Sequence, residues 1–148
     1  MQDDAVTVYI DGGARGNPGP AGYGVRLESS DGTLIAELQG TVGIATNNVA
    51  EYRSLTAALA YLATHDIRKA HIRSDSQLLV RQLLGHYKVR HPGLQPLHAE
   101  SLRLLAKLDH VTFEHIPRSA NLEADRLANR AMDEAAAAAP ATPADAAE

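Results

Sequence analysis

Four acidic residues sit where a carboxylate has chemical consequences: Asp11, Glu51, Asp75 and Asp125. Asp11 ends the alternating run VTVYID, and Asp75 follows the short run AHIRS. Glu51 lies four residues before Leu55, on what would be the apolar stripe of a helix, so it points toward a core. Asp125 has Leu122, Leu127 and Ala128 at helical spacing and also borders a packed face. A carboxylate aimed at a core is costly unless it is paired or bound to a metal. Several converging carboxylates repel one another unless cations neutralise them. Oxygen donors, with no cysteine and no His-x-x-x-His pair, suit Mg²⁺ or Mn²⁺ rather than zinc. Each acid also has a plainer reading. Asp11 marks a strand end before glycines, Asp75 caps a helix, Glu51 completes a capping box with Asn48, and Asp125 is a solvated helical acid.

The elements that must position them follow from periodicity. Val6, Val8 and Ile10 alternate with Thr7, Tyr9 and Asp11, which predicts a strand over 6–11. The Gly/Pro-dense run 12–22 reads as a loop. Residues 23–29 and 33–42 read as a hairpin about Ser30-Asp31-Gly32. Leu55, Ala58, Leu59 and Leu62 form the stripe of a helix over 48–65. A strand over 70–74, a helix to Gly85, a loop over 86–96, a helix over 97–109, a strand over 111–116 and a helix over 121–134 complete the chain. The order predicts an α/β fold. Its mixed five-stranded sheet opens as an antiparallel meander, continues with parallel strands and is flanked by helices. Asp11 and Asp75 then stand just beyond strand ends, where open α/β sheets build their sites.

The chain's 148 residues suit one domain, taken as 1–134, followed by an Ala/Pro-rich tail over 135–148 too poor in apolar bulk to pack. No run is long and apolar enough for a membrane span, and no secretory leader is visible in the first residues. The lack of cysteine excludes disulfides and fits a cytoplasmic protein, here expected to be a monomer. The net charge of −4 argues against a polyanionic partner at first sight. Asp133, Glu134, Asp145 and Glu148 account for that excess, so residues 1–132 are balanced before any acid is neutralised by cations. Nucleic acid remains a partner through a modest basic surface, with a shallow salt dependence.

Through most of residues 5–133 the sequence resembles the ribonuclease H type 1 family. The matching pieces are YIDGGARGNPGPAGYG, ATNNVAEYRSL, IRSDSQLLV and HIPRSANLEADRLA, in order, each with its acid in place. The resemblance is to an archaeal-like branch lacking the Lys- and Trp-rich basic protrusion of the best-known bacterial type. The corresponding segment here is GHYKVRHPGLQPL, with Lys88 and Arg90 as its bases and no tryptophan. An Arg that helps hold a phosphate in the family is Ile44 here.

The resemblance implies an endoribonuclease that hydrolyses the RNA strand of RNA–DNA hybrids with two Mg²⁺ or Mn²⁺ ions, leaving 5′-phosphate and 3′-hydroxyl ends. RNA duplex is implied as a weaker partner. Asp11 would bridge both ions, Glu51 and Asp75 complete one shell, and Asp125 support the other. Asn47, Asn48 and Gln77 match residues that contact the minor groove, and an amide suits a 2′-hydroxyl because it both donates and accepts. Asn17 and Thr46 match a pocket for a DNA-strand phosphate. Their plainer readings are helix caps for Asn47 or Asn48, a first-turn residue for Gln77 and a turn residue for Asn17.

Two residues compete for an auxiliary role near the fourth acid. His115 stands at the bacterial spacing and Arg118 at the archaeal-like one. Alternation places His115 beside Val111 and Phe113, packed, and leaves Arg118 free to reach a phosphate, so Arg118 is the expected choice. Rival readings are a non-cutting hybrid-binding module, a superfamily nuclease acting on DNA, and a structural protein with paired acids. The first does not need four acids, the TNN-x-x-E segment disfavours the second, and inward-facing acids disfavour the third.

Overall fold

A computed structural model describes residues 5–138. Its strands are β1 (Val6–Ala14), β2 (Gly19–Glu28), β3 (Leu34–Ala45), β4 (Lys69–Ser74) and β5 (His110–His115). Its helices are α1 (Asn47–Thr64), α2 (Gln77–Leu83), α3 (Gln95–Leu105) and α4 (Leu122–Ala138), with a 3₁₀ turn at Arg118–Ala120. The sheet runs β3-β2-β1-β4-β5. The β1–β2 and β2–β3 pairs are antiparallel, and the β1–β4 and β4–β5 pairs are parallel. This is the expected mixed sheet.

One face of the sheet carries Val6, Val8, Ile10, Val25 and Leu27 against Leu55, Ala58, Leu59 and Leu62 of α1, all buried. Tyr52 belongs to that core, and its hydroxyl donates to Gln82 Oε1 at 2.6 Å, joining α1 to the end of α2. The opposite face receives α4 through Ala124, Leu127, Ala128 and Ala131.

The Gly/Pro-rich run is mostly strand, not loop. β1 continues to Ala14 and β2 starts at Gly19, with Gly12 opposite Tyr23 and Gly13 opposite Gly22. Only 15–18 turn. The glycines are there because helices press on the sheet: a Cβ on Gly12 would lie 2.2 Å from the Ala50 carbonyl oxygen.

The helix starts also differ from expectation. Thr46, not Asn48, caps α1, its Oγ1 accepting from Val49 N at 3.2 Å. Ser76, not Asp75, caps α2, accepting from Leu79 N. Helix α3 starts earlier than expected because Pro96 is tolerated in its first turn, where a missing N–H costs nothing, and it ends earlier, at Leu105. Helix α4 passes residue 134 and runs to Ala138; the rest of the expected tail lies outside the described residues. Among the described residues no helix is long and apolar enough to cross a membrane.

Candidate active site

The parallel pairing of β1 with β4 ends at Ile10 opposite Ser74, so the next residues, Asp11 and Asp75, emerge side by side. Glu51 joins them from the second turn of α1. One carboxylate oxygen from each of Asp11, Glu51 and Asp75 lies within 4.8 Å of the others. Asp125, in the first turn of α4, lines the same cleft of about 490 Å³ but stands outside that tight set.

Burial pushes Asp11 up to about 8, reinforced by the charge of Asp75 and by a hydrogen bond and charge from Asp125; the Gly12 N–H opposes this. Burial likewise drives Glu51 well above the ordinary carboxylate range, helped by Asp11 and Asp75. The Gly12 N–H, 3.2 Å from Glu51 Oε1, and the positive charge of Arg118 act the other way. A positive charge placed among these groups would offset the upward shifts of both. An all-oxygen donor set without Cys or His fits a hard divalent cation of the Mg²⁺ or Mn²⁺ type.

Asn17, Asn47 and Asn48 divide between two clefts. Asn47 lines the acidic cleft, and its Oδ1 accepts from Ala14 N at 2.8 Å. Asn17 Oδ1 accepts from Asn47 N at 2.9 Å, holding the 15–18 turn to the start of α1. Neither asparagine side chain is the α1 cap. Asn17, Thr46 and Asn48 line a second groove of about 380 Å³ together with Lys88, Arg90 and His91. Gln77 is exposed at the start of α2 and lines neither cleft. Two features escaped the sequence reading. Lys88 and Arg90 converge on the groove of Asn17 and Thr46, although long separations in the chain hide that meeting. Asn121 is 1% exposed, and its side chain donates to Asp75.

The reverse transcriptase-like family model matches residues 9–131. Ribonuclease HI of the archaeon Halobacterium salinarum is 44% identical over 88% of this chain and 65% of its own length. The chain belongs to the ribonuclease H family. The solved structure of the N-terminal RNase H domain of Rv2228c from Mycobacterium tuberculosis, a fusion with maltose binding protein, aligns with a TM-score of 0.88 at 44% identity, covering 91% of this chain and 98% of that one. The full mycobacterial relative, named a bifunctional protein, is 46% identical, and this chain spans only 39% of its length. LC11-RNase H1, solved in complex with an RNA/DNA hybrid, aligns with a TM-score of 0.83 at 41% identity, over 88% of this chain and 98% of that one.

The ribonuclease H chain has no protrusion between α2 and α3, only residues 84–94. That is the archaeal-like form its sequence suggests. His115, however, is exposed at the end of β5, whereas Val111 and Phe113 are half-buried. The expectation that it packs fails because the strand leaves the covered part of the sheet there. Arg118 lines the acidic cleft. Arg118→Ala is therefore expected to lower turnover several-fold with the fold intact, and His115→Ala to leave the melting temperature nearly unchanged. Comparing kcat and Tm for the two variants checks this; a normal kcat in Arg118→Ala together with a lost one in His115→Ala reverses the assignment.

Proposed function

We propose that this chain is an endoribonuclease that hydrolyses the RNA strand of RNA–DNA hybrids with two divalent cations, Mg²⁺ or Mn²⁺. The observation that carries this reading is the cluster of Asp11, Glu51 and Asp75 within 4.8 Å, where burial, reinforced by Asp75 and Asp125, raises Asp11 to about 8. Asp11 and Asp75, with Glu51, would hold one ion, and Asp11 with Asp125 the other. When bound, such ions supply charge neutralisation at the scissile phosphate and an activated water. The carboxylates of the chain fix where that charge sits. Arg118 contributes a guanidinium at the cleft for a phosphate oxygen, and products carry 5′-phosphate and 3′-hydroxyl ends.

Recognition falls to the neighbouring groups. Asn47, Asn48 and Gln77 carry amides that can donate to and accept from a 2′-hydroxyl, the group that separates RNA from DNA. The groove of Asn17 and Thr46, with Lys88 and Arg90, suits phosphates of the DNA strand. Lys88 and Arg90 supply a modest electrostatic grip in place of a protrusion, and a relative solved with an RNA/DNA hybrid supports hybrid as the ligand.

The test is hydrolysis of hybrid, RNA duplex, DNA duplex and single strands in Mg²⁺ or Mn²⁺. Hybrid is expected to be cut fastest, RNA duplex weakly and DNA not at all. Deoxyribonucleotides around the cut site should block cleavage. Cleavage of such a substituted strand at the normal rate would sink the reading, since no amide contact to ribose would then matter.

A further inference from the structure

Asn121 sits where the end of β1, Asp75, Arg118 and Asp125 meet. Its side-chain Nδ2 donates to the Ile10 carbonyl at 2.9 Å and to Asp75 Oδ2 at 3.2 Å. Its own N–H donates to the Arg118 carbonyl at 2.9 Å, and its carbonyl accepts from Asp125 N at 3.1 Å. One residue thus touches the backbone just before Asp11, the carboxylate of Asp75, and the chain at both Arg118 and Asp125. It is 1% exposed, and its Oδ1 is buried with no hydrogen-bond partner.

That unpartnered oxygen bears on the role. An asparagine in front of a helix normally turns its oxygen onto the first N–H groups. Here the amide is oriented the other way, and both of its protons are spent on the site. Flipping it would set Oδ1 against the Ile10 carbonyl and the Asp75 carboxylate, so the orientation is fixed by its neighbours. A buried acceptor left without a donor is a stability loss. Ordinary capping would not require it.

We infer that Asn121 is the positioning residue of the cation site: its carboxamide clamps Asp75 to the end of β1 and fixes the start of α4, and with it Asp125, in register with Asp11. This rests on the proposed cation-dependent function. Partners that orient metal-binding carboxylates typically shift metal affinity by about 10- to 100-fold when removed.

Calorimetric titration of Mn²⁺ into the full-length protein without nucleic acid tests the inference. Asn121→Ser puts a residue well suited to the start of a helix in front of α4, but one too short to reach both Ile10 and Asp75. It is expected to melt close to wild type in EDTA and to bind Mn²⁺ about tenfold more weakly. Asn121→Ala is expected to lose affinity at least as far. In an Asp75→Asn background the Asn121→Ser substitution should change Mn²⁺ affinity little, because the clamped ligand is already disabled. Mn²⁺ binding by Asn121→Ser within twofold of wild type, or an undiminished effect in the Asp75→Asn background, overturns the positioning role and leaves the function intact. Failure of the wild type to bind Mn²⁺ overturns both.

Discussion

Asp11→Asn is expected to reduce hybrid cleavage to below a few per cent of wild type while raising the melting temperature of the metal-free protein at alkaline pH. The two effects have one origin. Asp11 is 7% exposed and faces Asp75 and Asp125, so its negative charge is unwelcome without a cation. In the unfolded chain it ionises near 3.8; in the folded, metal-free chain it does so near 8. Between those values the folded state holds a proton that the unfolded state has released, and rising pH favours unfolding. The contribution is full below the unfolded value and is lost as pH rises through about 8. Asparagine keeps the size and never ionises, so the variant gains a few kcal/mol at pH 9, or about 5–10 °C in Tm. Glu51, shifted in the same direction by burial, adds to the slope of the wild type. Divalent cation reverses the wild-type loss by displacing the proton, so its affinity falls as pH drops. Thermal melts from pH 5 to 9, in EDTA and in Mg²⁺, alongside cleavage rates, measure all of this. Substantial residual cleavage by Asp11→Asn contradicts a bridging carboxylate, and a flat wild-type profile in EDTA contradicts the crowded cluster.

Periodicity carried the succession of strands and helices and the mixed character of the sheet, because the alternation of β1 and the stripe of α1 each bury a single face. Two of the acids were legible for a related reason: Glu51 falls on the stripe of α1, and Asp125 borders the packed face of α4. Local composition misled where tertiary contact overrode it. Gly12, Gly13 and Gly22 look like turn residues in isolation, yet they are strand positions on which helices rest, and Gly19 opens β2 against the backbone of Arg15. A signal was present in the small residues Ala124, Ala128 and Ala131, which repeat at helical spacing and call for an equally small surface opposite. His115 was misplaced because alternation gives a side chain's face but not whether anything covers that face. Asn121 was invisible as a site residue. A helix-start asparagine is ordinary, and only the fold brings Ile10 and Asp75 to its amide.

Gly24→Ala tests the closeness of α4 to the sheet, and with it the geometry of the acids. Gly24 pairs with Asp11 across the β1–β2 ladder, beneath the first turns of α4. A Cβ there would stand 2.5 Å from the Ala124 carbonyl oxygen, 2.5 Å from Leu127 Cβ and 2.6 Å from Ala128 N. Two of those atoms are backbone, so no rotamer change relieves the clash and the helix must move. Overpacking at this level costs about 1–3 kcal/mol, and the upper end corresponds to a fall of roughly 10 °C in Tm for a chain of this size. Movement of α4 also draws Asp125 and Asn121 away from Asp11 and Asp75, so cation affinity falls along with stability. The comparison is Gly32→Ala, in the β2–β3 turn at φ +90°, where a Cβ meets nothing within 4 Å. That substitution carries backbone strain alone, lowers Tm by a smaller amount, and leaves Mn²⁺ affinity and cleavage unchanged. If Gly24→Ala melts and binds Mn²⁺ as the wild type does, α4 is not in contact with β2 at this point, and the positions of Asp125 and Asn121 described above are wrong.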